Sequence, residues 1–195
     1  MSMRAAHLPT SSPEGEAPDV DRLIDTLVRH GVEFLLIGGV ATQTYGAIRP
    51  TTDFDCLVRR AGKNLEHLAA AMRELGARLR VEGLTDEDAA LLPVQITAET
   101  LVRMEISTWQ TDAGAFDVLV DMPASDGRRL RYEALVGRAN QLNRAGVLVQ
   151  VASLEDIIAS KKWADRPKDR EALPELEAIA AVQAGERVAR SPEPD

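Results

Sequence analysis

The sequence predicts an α+β fold, a mixed β-sheet with helices packed mainly on one face and further helices at the C-terminal end. Three observations predict it. Apolar residues recur at helical spacing in Val20, Leu23, Ile24, Leu27 and Val28, and again in Leu65, Leu68, Ala69, Met72 and Leu75. Short runs of strand formers, EFLLI, DFDCLV and FDVLV, lie between and after these helices. From Ser153 onward the pattern turns helical again.

Taken in order, Asp19 caps the first helix and Gly31 stands where a C-terminal glycine belongs. Glu33 to Ile37 is a short buried strand, and a short helix from Val40 to Tyr45 opens at Gly38-Gly39. Asp53 to Val58 is a strand, Leu65 to Leu75 a long helix closed by Gly76, and Arg78 to Glu82 a further strand. Thr85 with Asp88 makes a capping box for a short helix. Val102, Met104, Ile106 and Thr108 alternate with Arg103, Glu105, Ser107 and Trp109, the pattern of a half-exposed strand. Gly114 lies in the turn before the strand Phe116 to Val120, and Val147 to Val151 is a strand too. Ser153 with Asp156 caps a helix ending near Ala164. The last helix runs from Asp169 to Val182 with Pro174 inside it. Residues 1–18 and 185–195, rich in Ser, Pro and Glu, are expected to be disordered tails around one domain over 19–184.

Composition removes several functions. A net charge of −8 argues against a protein that coats nucleic acid non-specifically, and 4% aromatic residues leave little for base stacking. The single cysteine, Cys56, excludes an internal disulfide and a Cys-based zinc site, and reads as core packing. No apolar run approaches the roughly 18–20 residues of a membrane span. The N-terminal MSMRAAHLPTSSPEGEAP has no apolar signal core, so a cytoplasmic protein is expected. His7, His30 and His67 show no partner pattern, and Trp109 and Trp163 read as packing.

The chemistry concentrates in two strands. Side chains alternate along a strand, so Asp53 and Asp55 share one face while Phe54, Cys56 and Val58 share the core face. In FDVLVD, Phe116, Val118 and Val120 face the core, while Asp117 and Asp121 face away; Asp121, at the strand end, reads as a turn cap. Three converging carboxylates repel one another unless divalent cations neutralise them, and oxygen-only donors beside phosphates suit Mg²⁺. Gly38-Gly39, between a strand and a helix, offers backbone N–H groups to a phosphate. A phosphate loop with metal-binding carboxylates is the equipment of phosphoryl or nucleotidyl transfer with two metals.

Four motifs carry a family resemblance: GGVATQTYG (Gly38 to Gly46), RPTTDFD (Arg49 to Asp55), TDAGAFDVLV with Asp117, and VASLEDIIASKKWADRPKD. Together they resemble the nucleotidyltransferase superfamily of the DNA polymerase β type, in its small bacterial branches, which include minimal nucleotidyltransferases and AbiE-type toxins. The resemblance spans residues 20–182. It implies the nucleotidyltransferase fold and transfer of an NMP from an NTP to an acceptor hydroxyl. Asp53 and Asp55 would hold the nucleotide-bound Mg²⁺ and share a second metal with Asp117, Mn²⁺ being the alternative ion. Asp117 would help deprotonate the acceptor. Gly38 and Gly39 would contact the triphosphate, Arg49 and Thr51 would brace the loop or touch phosphate, and Lys161 would neutralise charge developing there. Lys168 and Asp169 would lie at the nucleotide or acceptor edge. Most of the superfamily carries Gly-Ser at the loop, and some small branches carry Gly-Gly; with Gly39 here, one hydroxyl contact is lost.

The resemblance leaves the acceptor open: tRNA or protein for a toxin with a cognate antitoxin, a small molecule for an antibiotic-type enzyme, or none for a non-catalytic member that binds a nucleotide or a partner. From Arg128 to Arg170 the chain carries ten basic and five acidic residues, an asymmetry that would suit RNA.

Overall fold

Strand β1 (Phe34–Ile37) consists of four consecutive apolar residues, all buried, and so takes the interior of the sheet. The computed structural model describes residues 17–190 apart from 82, 86, 87, 90, 93 and 145. In chain order these form α1 (Val20–Arg29), β1, α2 (Gly38–Thr44), β2 (Asp53–Val58), α3 (Gly62–Glu74), β3 (Arg78–Leu79), α4 (Ala98–Leu101), β4 (Ile106–Thr111) and β5 (Gly114–Leu119). There follow β6 (Asp121–Pro123), β7 (Arg129–Arg131), α5 (Tyr132–Leu135), a 3₁₀ turn (Val136–Arg138), β8 (Asn140–Arg144), β9 (Val147–Val151), α6 (Leu154–Ala164) and α7 (Pro167–Arg190). Among the described residues no helix is long and apolar enough to cross a membrane.

The seven-stranded sheet has the order β3-β4-β5-β2-β1-β9-β8, and β6 and β7 pair separately as a ribbon. It is mixed: β2 runs antiparallel to β1 but parallel to β5, and β1 runs parallel to β9. Phe54, Cys56, Phe116, Val118 and Trp109 line the core face and cluster with Leu23, Ile24 and Leu27 of α1 and Leu65, Leu68 and Met72 of α3. Phe54 and Phe116 meet edge to face with ring centroids 5.7 Å apart. Asp19 caps α1 by accepting the Arg22 N–H, and Ser153 caps α6 by accepting the Asp156 N–H, as expected. The α+β class and mixed sheet are those the sequence predicts.

Local expectations are corrected in four places. Residues 102–105 are not strand: Val102 caps the C-terminal end of α4, and β4 begins only at Ile106. Its phase is also reversed, since Ser107, Trp109 and Thr111 are buried while Ile106 and Thr108 are half-exposed. Burying the large indole of Trp109, whose N–H reaches Ser107 Oγ at 2.8 Å, outweighs burying Ile106 and Thr108. The strand expected over Arg78 to Glu82 pairs only at Arg78 and Leu79, and residue 82 lies outside the described set. Helix α7 starts at Pro167, a residue suited to a first helical turn, and extends through 185–190. The remaining tail segments, 1–16 and 191–195, lie outside the described residues. The hydroxyl of Thr85 accepts the Asp88 N–H as a capping box requires, although the turn that follows is only partly described.

Candidate active site

Strands β2 and β5 lie side by side in parallel, with Asp55 directly opposite Asp117. Asp53, two residues before Asp55, points to the same face. One carboxylate oxygen from each of the three lies within 4.8 Å of the others, all at half-buried positions. Further along that row Leu57 is completely buried, so the carboxylates sit at the margin of a covered apolar layer. Burial and then the charges of Asp53 and Asp117 push the Asp55 carboxyl up to about 7, against the opposing pull of Lys168 and Lys161. Burial and then Asp53 push Asp117 up to about 6, while the Thr108 hydroxyl, Arg80 and Lys168 hold it down. Asp117 Oδ1 is enclosed and has no hydrogen-bond partner among the described residues. A carboxylate with an enclosed, unpartnered oxygen beside two more carboxylates is a costly arrangement that a divalent cation relieves. The all-oxygen donor set fits Mg²⁺ or Mn²⁺. Asp121, on the same face by simple alternation, lies instead on β6 and is held by the Arg129 guanidinium at 2.8 Å, away from the trio.

Both loop glycines are required by close approach. Gly38 has φ +64°, and a Cβ there would fall 1.9 Å from Asp55 Oδ2. A Cβ on Gly39 would fall 2.4 Å from Thr51 Oγ1. Ile37, the residue before α2, provides no side-chain cap, so no side chain of its own covers the first N–H groups of that helix. The following loop is tied to α7. Arg49 donates to the Glu171 carboxylate at 2.9 Å and to its carbonyl at 3.2 Å, and the Ile48 N–H bonds Glu175 Oε1 at 2.8 Å. Thr51 Oγ1 donates toward Asp53, with Oδ1 at 2.9 Å and the carbonyl at 3.1 Å.

The C-terminal cations divide by role. Asp169 is fully buried, with Lys161 Nζ 3.1 Å away and Arg166 Nε 2.6 Å away. Burial alone would raise its carboxyl; Arg166 and Lys161 outweigh that and hold it below its ordinary value. Asp169 is therefore enclosed behind Lys161 and Arg166, both of which it holds in place. Lys168, exposed, has no ion pair among the described residues, and its charge acts on both Asp55 and Asp117. Lys162 turns away to pair with Glu177 at 2.6 Å. The positive excess of the 128–170 segment is largely met by carboxylates: Arg128 by Asp126, Arg129 by Asp121, Arg138 by Asp156, Arg144 by Asp21 and Arg170 by Asp165. It does not present a bare cationic strip.

Two site neighbours escaped the sequence reading. Thr108 stands opposite Asp117 on β4, and Arg80 follows it in the same lateral row, its N–H bonded to the Thr108 carbonyl at 2.8 Å. The signal was present in principle: the tight TDAG turn makes β4 and β5 an antiparallel hairpin, and its register sets Thr108 against Asp117.

Comparison with known proteins bears on the fold and the family. The lincosamide antibiotic adenylyltransferase LnuA, in its lincomycin-bound crystal structure, superposes with a TM-score of 0.55 at 13% identity, covering 83% of this chain and 96% of that one. The antibiotic-resistance factor ANT(2'')-Ia in solution superposes with a TM-score of 0.50 at 18% identity, covering 88% and 92%. Its crystal structure in complex with adenylyl-2''-tobramycin gives 0.50 at 18%, covering 88% and 97%. At these identities the likeness establishes the fold. No curated protein matches in sequence. The family model described as nucleotidyl transferase AbiEii toxin, Type IV TA system, matches residues 22–172. With that match over most of its length, the chain belongs to the AbiEii nucleotidyltransferase family.

Proposed function

We propose that the chain is a toxin-type enzyme that moves an NMP from an NTP to an acceptor hydroxyl, with Asp53, Asp55 and Asp117 holding Mg²⁺ or Mn²⁺. The observation that carries this reading is the carboxylate trio with its orphaned Asp117 oxygen. In the transfer, the acceptor oxygen forms a bond to the α-phosphorus, the bond to the α–β bridging oxygen breaks, and pyrophosphate leaves. Asp117, whose carboxyl burial and the Asp53 charge push up, accepts the proton of the hydroxyl. When bound, the divalent cations supply charge neutralisation and in-line alignment of the attacking and leaving oxygens. The Gly38-Gly39 backbone lies against the triphosphate, Lys168 reaches its oxygens, and Lys161, steadied by Asp169, adds a second positive charge. Arg49 holds the loop to α7 and contacts phosphate only by releasing Glu171.

The acceptor is tRNA or protein on this reading, with a cognate antitoxin as partner and the cytoplasm as the site of action. A small-molecule acceptor is the second reading, favoured by the fold shared with two antibiotic-modifying enzymes. Incubation with each common NTP, labelled in the α-phosphate, with Mg²⁺ and separate RNA, protein and metabolite fractions tests both. Label in RNA or protein supports the first, and label in a metabolite supports the second. Absence of label from every NTP in every fraction contradicts transfer.

A further inference from the structure

Gly39 is not needed for its backbone conformation, because only Gly38 of the pair lies in the left-handed region. The need is steric. A Cβ on Gly39 would meet Thr51 Oγ1 at 2.4 Å and Thr51 Cβ at 2.6 Å. Rotation of Thr51 about χ1 moves the first atom and leaves the second in place. The Thr51 hydroxyl carries one proton, and both acceptors it faces, the Asp53 carboxylate at 2.9 Å and the Asp53 carbonyl at 3.1 Å, belong to the same residue. That proton is therefore not available to a phosphate while the bond to Asp53 stands.

We propose that Thr51 is a positioning residue of the carboxylate site: its hydroxyl fixes the orientation of the Asp53 carboxylate, and its Cβ fills the space a side chain at position 39 would need. This rests on reading the trio as a cation site. Carboxylate torsions are broad and roughly two-fold, so without this bond Asp53 samples orientations that do not converge with Asp55 and Asp117. Groups that orient a metal ligand in this way are worth about 10–100-fold in metal affinity. Gly39 and Thr51 then form one interlocked pair. The glycine at position 39 is the counterpart of Thr51, not a serine lost from the loop, and phosphate meets backbone alone at this point.

Mn²⁺ titration followed by electron paramagnetic resonance, with circular dichroism melting in EDTA, tests both halves. Thr51→Ser keeps the hydroxyl and is expected to bind Mn²⁺ as wild type does. Thr51→Val, of similar shape, is expected to bind about 10–100-fold more weakly with an unchanged fold. Gly39→Ser is expected to lower the melting temperature. Adding Thr51→Ala leaves that loss in place because Cβ remains, whereas adding Thr51→Gly removes it. Thr51→Val binding Mn²⁺ as tightly as a wild type that does bind overturns the positioning role alone. Equal destabilisation by Gly39→Ser in all three backgrounds overturns the interlock. A wild type that binds no Mn²⁺ overturns the cation reading and the positioning role with it.

Discussion

Replacing Asp55 with Asn is expected to make the metal-free protein more stable while abolishing its response to divalent cations. The Asp55 carboxyl is pushed up to about 7 from an ordinary 3.8, first by burial and then by Asp53 and Asp117. At about 1.4 kcal/mol per pH unit, ionising it inside the fold costs on the order of 4 kcal/mol at pH 8. Its half-buried position and the cost of placing an amide there reduce the expected gain to about 1–3 kcal/mol. For a chain of this size that is about 3–10 °C in melting temperature. The sign follows from proton counting. The folded state binds the proton more tightly than the unfolded state, so stability falls as pH rises from about 4 to about 7, and the Asn variant escapes this loss. Calorimetry in EDTA is therefore expected to show the advantage at pH 8 and its decline as pH is lowered toward 4. Mn²⁺ is expected to raise the melting temperature of wild type and leave the variant unmoved. A variant that melts below wild type in EDTA at pH 8, or an advantage independent of pH, would refute the electrostatic account of the trio.

Three further expectations follow from the same geometry. Lys168→Ala weakens NTP binding and, in EDTA at pH 8, lowers the melting temperature slightly, because its charge offsets the repulsion within the carboxylate trio; Lys161→Ala weakens binding and lowers the melting temperature further by stripping a partner from buried Asp169, while Lys162→Ala stays within about 0.5 kcal/mol of wild type in stability. Calorimetric titration with a non-hydrolysable NTP, paired with thermal melts, separates the three. Mn²⁺ affinity rises with pH up to about 7 and then levels off, since Asp55 and Asp117 must ionise to ligate; titrations from pH 5 to 8 read this directly, and a flat profile counts against ligation by these carboxyls. Gly38→Ala, whose Cβ would fall 1.9 Å from Asp55 Oδ2, eliminates Mn²⁺ binding, and retained affinity would mean that the loop moves freely relative to β2.

Helices α1, α3 and α6 were legible because local signals agree in each: an apolar stripe and a closing glycine for α1 and α3, and a capping side chain for α1 and α6. The shared face of Asp53 and Asp55 was legible from alternation alone. That Asp117 joins them depends on β2 and β5 being neighbours in register, a long-range pairing that no local pattern encodes; the family motifs supplied it. Strands β7 and β8, RLR and NQLNR, were missed because they are short polar edge strands without an alternating apolar face. Thr108 was seen, but on the wrong face, because Val102, Met104 and Ile106 suggested a phase that Trp109 overrides. The basic excess of 128–170 looked like a footprint in sequence because four of its partners, Asp21, Asp121, Asp126 and Glu177, lie outside that window. The reason for Gly39 is likewise a contact through space with Thr51.

The most direct test of nucleotidyl transfer compares α-labelled with γ-labelled NTP in parallel reactions with Mg²⁺ and the acceptor fraction, for wild type and Asp117→Asn. The account expects the α-label to enter the acceptor, the γ-label to leave as pyrophosphate, and both events to be lost in the variant and in EDTA. Entry of the γ-label into the acceptor, or α-label transfer undiminished in Asp117→Asn, would contradict it.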